Sequence, residues 1–398
     1  MRQALRSLLL LFALLPAGCG QRAPGTRLES FSGHEPRILW DTAGRLHAVY
    51  VENQAGGPPA LAYRRLGKDA MGPVRITPPG LEVAASRETP ATLDQLPDGT
   101  LVTGYPVTLP GKWQSELRVQ RSTDGGKTWE EPRILHAPES GAHSFLSSAT
   151  STLGTVAFAW LDKTSGQMGL RAASTRDGRT FSRPETVDAR TCQCCGTAMA
   201  AGPGGTLWLA FRDLEADDLR DFRVLRTASD PPVFQDGAKL SSDGWRIRGC
   251  PETGARLAEA PDGTLWAAWF TGGGEPGVYV SFSRDGGKSF VPRTLLTDPG
   301  QLGRHPEIGV LGDGRIAVLY ETSEGDRHSI QARVRDDRGA WEKARTLAYE
   351  GTYPRLATHG QRTAVAFTCG YSPDPRVVVA DWEELAGGDG SFCGKAGS

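Results

Sequence analysis

The chain has 398 residues, including 50 Gly and 27 Pro, and a formal net charge of −1 at pH 7. This length is enough to bury a sizeable hydrophobic core, in one large repeat domain or in two ordinary domains. Charges of both signs are scattered without a basic stripe, which argues against nucleic acid as a partner.

The first residues, Met1–Cys19, have the features of an export signal. Two early arginines supply positive charge, and the apolar run Leu8–Leu15 that follows is too short to span a bilayer. The end of the segment, Leu15-Pro-Ala-Gly-Cys19, resembles a bacterial lipoprotein cleavage site. This resemblance implies that Cys19 becomes the lipidated first residue, and ordinary signal cleavage near Ala23 is the alternative.

The domain organisation follows from this signal. We predict a lipoprotein-type signal peptide over residues 1–19, a short tether over residues 20–25 and a single domain over residues 26–398, which no low-complexity linker divides. The mature protein is expected in the periplasm or tethered to the outer membrane, with its lipid as the only contact with a membrane.

An internal repeat dominates residues 26–398. Seven times a Gly turn precedes a strongly apolar strand, and these turns are 46 to 58 residues apart. Near-continuous apolarity is typical of strands that are buried on both faces, as in stacked propeller blades. Four short strands in each period of about 50 residues predict a β-propeller. The turn glycines are Gly44, Gly99, Gly154, Gly205, Gly263, Gly314 and Gly360.

The predicted fold class is therefore all-β, with four-stranded blades. Seven repeats favour seven blades, and the alternative is a six-bladed ring with an accessory terminal sheet. The seventh repeat shows only three strands, the last of them at Val377–Trp382. We expect Arg27–Phe31 to return as the missing outer strand, because this pairing closes the ring and removes open strand edges.

Three turn motifs mark the outer part of the repeats, at Ser122–Trp129, Thr175–Phe181 and Ser283–Phe290. Their Ser or Thr and Asp side chains can hydrogen-bond turn amides, and their glycines supply positive φ. The motif resembles the Asp box of the sialidase superfamily, a hairpin that joins the two outer strands of a propeller blade. Asp124, Asp177 and Asp285 are accordingly predicted to shape the fold and not to act as catalytic acids.

The loops that lead into the innermost strands are expected to form the functional face, since ligands of propellers usually bind where these loops meet. They contain three of the seven histidines, His34, His143 and His305, and four of the six cysteines beyond Cys19. This density predicts a site for a glycan or a small molecule on a monomeric propeller, with a plain polar rim as the alternative.

The resemblance to sialidases also implies a set of site residues. Sialidases hold a sugar carboxylate with three arginines and use a Tyr nucleophile, an assisting Glu and an Asp as acid/base. Tyr353 resembles the nucleophilic Tyr and Glu252 the assisting Glu in their places in the repeat, whereas Val51–Gly57, where the acid/base is expected, contains no Asp. We therefore predict recognition of an extracellular glycan and leave sialidase-like hydrolysis open. The candidate ligand contacts are Arg37, Arg212, Arg246 and Arg304.

The stretch Thr191-Cys-Gln-Cys-Cys-Gly196 has no counterpart in the sialidase pattern. Structural disulfides are the default in an oxidising compartment, and Cys250 is expected to approach Cys194 or Cys195 from the neighbouring inner strand. The alternatives are reactive thiols or a soft metal such as Cu or Zn. The metal ligands would be Cys192, Cys194, Cys195 and Cys250, with His34, His143 and His305.

The two remaining cysteines lie near the C-terminus. Cys369 and Cys393 are predicted to form a disulfide that ties down the C-terminus. Without the metal site no cofactor is predicted, and a non-catalytic interaction platform is the third functional hypothesis.

Overall fold

A computed structural model describes residues 29–86, 88–136, 141–164, 166–325, 327–370 and 374–395. The predicted signal peptide with its Cys19 and the tether at residues 20–25 lie outside the described residues. Within the described ranges, no helix is both long and apolar enough to cross a membrane.

Seven four-stranded antiparallel sheets form the blades of a propeller, which confirms the predicted fold class and the count of seven. In six blades the strands follow one another outward in chain order. The strands are β1 (Glu29–Ser32), β2 (His34–Trp40), β3 (Leu46–Glu52), β4 (Ala60–Leu66), β5 (Met71–Arg75), β6 (Asp94–Gln95), β7 (Leu101–Thr108), β8 (Ser115–Ser122), β9 (Arg133–Ile134), β10 (His143–Thr150), β11 (Val156–Asp162), β12 (Gly169–Thr175), β13 (Glu185–Asp188), β14 (Ala198–Ala201), β15 (Leu207–Arg212), β16 (Phe222–Thr227), β17 (Gln235–Lys239), β18 (Arg256–Glu259), β19 (Leu265–Thr271), β20 (Gly277–Ser283), β21 (Thr294–Leu295), β22 (Gly303–Val310), β23 (Ile316–Glu324), β24 (Arg327–Val334), β25 (Arg345–Tyr349), β26 (Gly351–His359), β27 (Arg362–Cys369) and β28 (Arg376–Asp381). Short helices are the 3-10 turns Gly67–Asp69, Pro203–Gly205 and Ala216–Asp218, and the α-helices α1 (Trp382–Gly387) and α2 (Phe392–Lys395).

The seventh blade closes the ring with the N-terminal strand. Its sheet runs β26, β27, β28 and then β1, and Glu29 lies opposite Val379 in the antiparallel pairing. The predicted return of Arg27–Phe31 is thus confirmed for its described part, Glu29–Phe31, since residues 27 and 28 lie outside the described ranges. The pairing of β1 with β28 completes the four-stranded sheet and joins the two ends of the repeat array.

The hydrophobic cores lie between blades. Val49 and Tyr63 of the first blade, for example, pack in one cluster with Tyr105 of the second. The second strands supply many of these side chains, and Trp160 and Trp269 on two of them are fully buried. Burial of each such side chain stabilises the fold by about 1.5–3 kcal/mol, so adjacent blades hold one another in place.

The predicted turn glycines separate the innermost strand of each blade from the second. All seven have positive φ, between 56° and 89°. Because every innermost strand ends at such a turn, the seven turns lie at one end of the ring. The innermost strands begin at the other end, which we call the mouth.

The three Asp-box-like turns join the third and fourth strands of their blades. In the first, Asp124 Oδ1 accepts from Thr128 N at 3.0 Å, and Gly126 N donates to Ser122 Oγ at 2.8 Å. Third strands run in the same direction as innermost strands, so these turns lie at the end of the ring away from the mouth.

A small helical cap follows the last strand and was not predicted. The predicted strand through Trp382 ends one residue earlier, and Trp382 begins α1. The side chains of Trp382, Leu385 and Phe392 are buried against the core between the sixth and seventh blades. A disulfide joins Cys369 to Cys393, the pair that the sequence predicts, with an S–S distance of 2.05 Å.

Candidate functional site

The backbone is distorted where innermost strands begin. Five non-glycine residues at these starts or in the loop just before them have φ between 46° and 56°, and in four of these blades the pairing with the second strand shifts at the same place. Such bulges re-aim the side chains that follow, and the strained conformation costs about 1–3 kcal/mol per residue. Strain repeated around one mouth marks it as a candidate site. The five residues are Glu35, Phe145, Glu252, His305 and Tyr353.

A cluster of charged residues lies inside the mouth, contributed by four adjacent blades. We call Arg37, Arg256, Arg355 and Glu307 the arginine cluster. Glu307 Oε2 lies 3.4 Å from Arg256 Nε and 3.5 Å from Arg355 Nη1. Glu307 and Arg355 are 6% and 3% exposed, so their ion pair is shielded from solvent, while the Arg256 side chain is 20% exposed. One carboxylate therefore holds two guanidinium groups in place.

Arg37 is the member of the arginine cluster whose guanidinium group can still bind a ligand. Its half-buried side chain lines a channel cavity of about 470 Å³ and makes no hydrogen bond or ion pair with any other residue in the described ranges. Glu307 attracts it and Arg355 repels it through space. A guanidinium group offers five hydrogen-bond donors in a planar fork, which matches a carboxylate. This side chain can accept an anionic ligand without breaking an existing bond.

Loss of hydration shifts the pKa values of residues in and near the arginine cluster. Burial lowers the pKa of Arg256 to about 10, and repulsion from Arg355 adds to this effect. Burial also lowers the pKa of Arg37. Deeper in the cavity, burial raises the pKa of Asp94, which accepts hydrogen bonds from Ser148 and Thr150. A bound anion would replace the solvation that the buried guanidinium groups have lost.

A second group of residues surrounds His305 beside the arginine cluster. His305 Nε2 lies 3.0 Å from Glu88 Oε1, and its Nδ1 lies 3.1 Å from Glu321 Oε2. The Tyr353 N–H donates to the other Glu321 oxygen at 2.7 Å, and the Tyr353 ring centroid is 5.9 Å from that of His305. Burial alone would lower the pKa of His305, but hydrogen bonds to Glu321 and Glu88 raise it to about 9. His305 is therefore a cation at neutral pH.

The structure brings two of the predicted sialidase-type residues into the mouth, Arg37 and Tyr353. Tyr353 is 4% exposed and lines a small pocket with Arg256, Arg355 and Glu88. Glu252, predicted to assist Tyr353, is exposed in the loop before β18. Glu321, which binds the Tyr353 amide, and Glu88 are the carboxylates that the fold places near this tyrosine.

The other three predicted arginines lie outside the cluster. Arg212 is 1% exposed, stacks on Phe222 with its Cζ 4.0 Å from the ring centroid, and donates to the carbonyl of Phe270 at 2.8 Å. It therefore joins two blades and does not face a ligand. Arg246 and Arg304 are exposed, and Arg304 lies over the Phe270 ring at 5.6 Å.

Arg256, Arg355 and Glu307 were not predicted as partners of Arg37. The sequence does contain a signal for two of them, Glu307 and Arg355. A strained residue, a proline, a charged residue and an aliphatic residue recur in this order at the start of three innermost strands. Aligning them would have placed three charged side chains at one level of the channel. The segments are Glu35-Pro-Arg-Ile38, His305-Pro-Glu-Ile308 and Tyr353-Pro-Arg-Leu356.

The cysteines form a compact group next to the mouth. The Sγ atoms of Cys192, Cys194 and Cys195 all lie within 4.8 Å of one another, and all three residues are buried. Hydrogen bonding with the thiols of Cys194 and Cys195 lowers the pKa of Cys192. Cys250 is exposed and unpaired, because β18 begins only at Arg256 and the cysteine lies in the preceding loop. The predicted disulfide between Cys250 and Cys194 or Cys195 is absent.

The mouth histidines do not join this group. His34 Nε2 lies 3.4 Å from Asn53 Oδ1, and His143 Nδ1 lies 3.1 Å from Asp162 Oδ2, while His305 is held by its two glutamates. Within the described ranges, the three cysteines are the one group of His, Cys, Asp or Glu side chains with metal-ligand spacing. A metal bound here would therefore be held by sulfur alone.

Comparison with known proteins shows the fold. The sequence matches no protein-family profile and no curated protein. Among solved structures, it is similar to an ulvan lyase with a TM-score of 0.57 and 11% identity, over 88% of this chain and 94% of that one. An arabinanase from Penicillium chrysogenum gives 0.52 and 14%, over 91% and 99%. Trypanosoma rangeli sialidase gives 0.52 and 12%, over 92% of this chain and 60% of that one.

Proposed function

We propose that this protein binds an acidic glycan at the mouth, with the sugar carboxylate or sulfate held by Arg37, Arg256 and Arg355. The observation that carries the proposal is the Arg37 guanidinium, which faces the cavity without a hydrogen bond or ion pair to the other described residues. Arg256 lines the same cavity, Arg355 lines a small pocket together with Arg256, and Glu307 pairs with both guanidinium groups. Hydrogen bonds between guanidinium and carboxylate are charge-assisted and can be bidentate.

The solved structures with this fold support a glycan as the ligand. They include a sialidase, an arabinanase and an ulvan lyase, and the ulvan lyase has been solved with a GlcA-containing saccharide bound. The cavity of about 470 Å³ at the arginine cluster has room for a sugar ring. Sialic acid and glucuronate both carry the carboxylate that this cluster suits.

The Arg37→Ala variant tests the proposal. We expect the affinity for sialic acid-terminated or glucuronate-containing oligosaccharides to fall by about 10- to 100-fold, because charge-assisted hydrogen bonds are lost. The free energy of unfolding should stay the same, since Arg37 makes no polar contact with the rest of the described chain. Isothermal titration calorimetry and chemical denaturation measure the two quantities.

The matched control is Arg338→Ala, which removes an exposed arginine from the turn between β24 and β25 at the other end of the ring. It should leave glycan affinity unchanged. Uncharged arabino-oligosaccharides serve as the ligand control and should not bind. Equal binding of charged and uncharged oligosaccharides, or an Arg37→Ala variant with wild-type affinity, would show that the arginine cluster is not a carboxylate site.

Hydrolysis of the bound glycan is the second candidate function. It is favoured by the position of Tyr353, which shares a small pocket with Glu88, His305, Arg256 and Arg355. A tyrosine nucleophile suits an anionic substrate because it is neutral before attack. Release of the fluorophore from fluorogenic sialosides by the wild-type protein, together with its loss in Tyr353→Phe, distinguishes turnover from recognition alone.

A further inference from the structure

The three buried cysteines between the third and fourth blades form a site that the proposed glycan function does not use. Cys192 Sγ lies 3.9 Å from Cys194 Sγ and 3.7 Å from Cys195 Sγ. The residues are 1%, 7% and 2% exposed, and Phe145 packs against them. Three sulfur atoms thus converge in a space that the surrounding side chains protect from water.

The backbone around these sulfurs is tightly held. The Cys192 N–H donates to the Arg212 carbonyl at 3.0 Å, which fixes the start of the loop to β15. At the end of the loop, a Cβ added to Gly196 would lie 3.0 Å from the Glu88 carbonyl oxygen. A Cβ added to Gly254 would in turn lie 2.6 Å from the Gly196 carbonyl oxygen. Close packing at both ends pre-organises the three thiols.

The charges around the sulfurs favour an anionic centre. Arg220 Nη1 lies 3.4 Å from Cys192 Sγ, and the buried Arg212 acts electrostatically on both Cys192 and Cys195. Three thiolates around one monovalent cation have a net charge of −2. Arg212 and Arg220 offset this charge, although Arg220 Nη2 also lies 3.8 Å from Asp218 Oδ1.

We propose that Cys192, Cys194 and Cys195 bind one Cu(I) ion. Soft thiolate ligands select Cu(I), whereas structural zinc sites are almost always closed by four ligands. No His, Asp or Glu of the described residues joins the three sulfurs at metal-ligand spacing. Binding exchanges sulfur-bound protons for the ion, releases those protons to solvent and transfers no electron.

Anaerobic titration of the reduced full-length protein tests this site. Cu(I) is supplied in competition with bathocuproine disulfonate, and we expect one Cu(I) retained per chain. X-ray absorption of the loaded protein should show a first shell of three sulfur atoms. Cys192→Ser, Cys194→Ser and Cys195→Ser should each lose the retained ion and the three-sulfur shell. Cys250→Ser is the matched control, because this exposed cysteine lies outside the group, and it should bind as the wild type does.

Three outcomes would overturn the proposal. The first is a reduced wild-type protein that retains no Cu(I), which would favour a disulfide or plain thiols in the loop. The second is a Zn²⁺ ion that remains bound when Cu(I) is offered in equal amount, which would assign the site to zinc. The third is stoichiometric binding by Cys194→Ser, which would place the ion elsewhere. Thermal melting of the Ser variants separates loss of binding from loss of folding.

Discussion

Replacing Glu307 with Ala is expected to lower the free energy of unfolding by about 3–5 kcal/mol, the usual result of removing one partner from a buried ion pair. Glu307 pairs with Arg256 at 3.4 Å and Arg355 at 3.5 Å, and its side chain is 8% exposed. Without it, two dehydrated guanidinium groups and the nearby Arg37 would repel one another in the channel. Urea denaturation at neutral pH measures the change.

The chain contains a matched control for this substitution. Glu342 also pairs with two arginines, Arg315 at 3.4 Å and Arg345 at 3.5 Å, but its side chain is 34% exposed. Glu342→Ala should cost at most about 1 kcal/mol, because water screens these pairs. Equal losses for the two variants would contradict the shielded arginine cluster.

Added sulfate gives a second readout of the Glu307→Ala variant. If the arginines are left without an anion, sulfate should bind them and recover part of the lost stability by mass action. The Glu342→Ala variant should not show this recovery, since its arginines remain hydrated. Stabilisation by sulfate that is confined to Glu307→Ala would link the stability of the mouth to its affinity for anions.

The fold could be predicted because its determinants are local and repeated. Each of Gly44, Gly99 and Gly154 ends the same turn in its own blade, and the apolar strand that follows can be recognised without knowledge of distant residues. The return of the N-terminal strand followed from one missing strand in the last repeat. The α1–α2 cap was missed, since two short helices without a repeat partner leave a weak pattern.

The site was predicted only in part because its residues lie on different blades and meet through packing around the ring. Arg37 lies in the first blade and Arg355 in the seventh, and only the circular arrangement brings Arg37 close to Glu307 and Arg355. Arg212 was assigned to the ligand from its place at the end of a strand, but the aromatic rings of Phe222 and Trp245 cover it. Burial of that kind depends on packing between blades, which spacing along the sequence does not encode.

In both proposed sites, groups that are partly or fully removed from solvent face a ligand of complementary charge, but the two ligands differ. In the arginine cluster, buried cations lie beside a cavity that an anion can enter. At the cysteines, buried sulfur atoms lie beside Arg212 and Arg220, and the matching ligand is a soft cation. Glu88 lies between the mouth and the cysteine site, since its side chain contacts His305 and its backbone packs on Gly196. The Cys→Ser variants that abolish Cu(I) binding should nevertheless leave Arg37 in place.

Raising the pH through about 9 is expected to remove a stabilising contribution of about 2–3 kcal/mol from His305. Its pKa is about 9 in the folded protein and near 6.5 in the unfolded chain. The folded state therefore binds the proton more tightly, so the contribution is fully present below about pH 6.5 and is lost as the pH rises through the folded pKa. The groups facing the imidazole are Glu88, Glu321 and Tyr353.

The pH dependence of His305→Gln tests this contribution. The difference in unfolding free energy between wild type and variant should narrow by about 2–3 kcal/mol from pH 7 to about pH 10. Substitution of the exposed His359 by Gln is the control and should leave the wild-type pH profile intact. A proton NMR titration of the His305 ring should give a midpoint near 9, and Glu88→Gln should move it down because one of the two carboxylate partners is lost. A ring that is already neutral at pH 7 would contradict the carboxylate–imidazolium–carboxylate arrangement beside Tyr353.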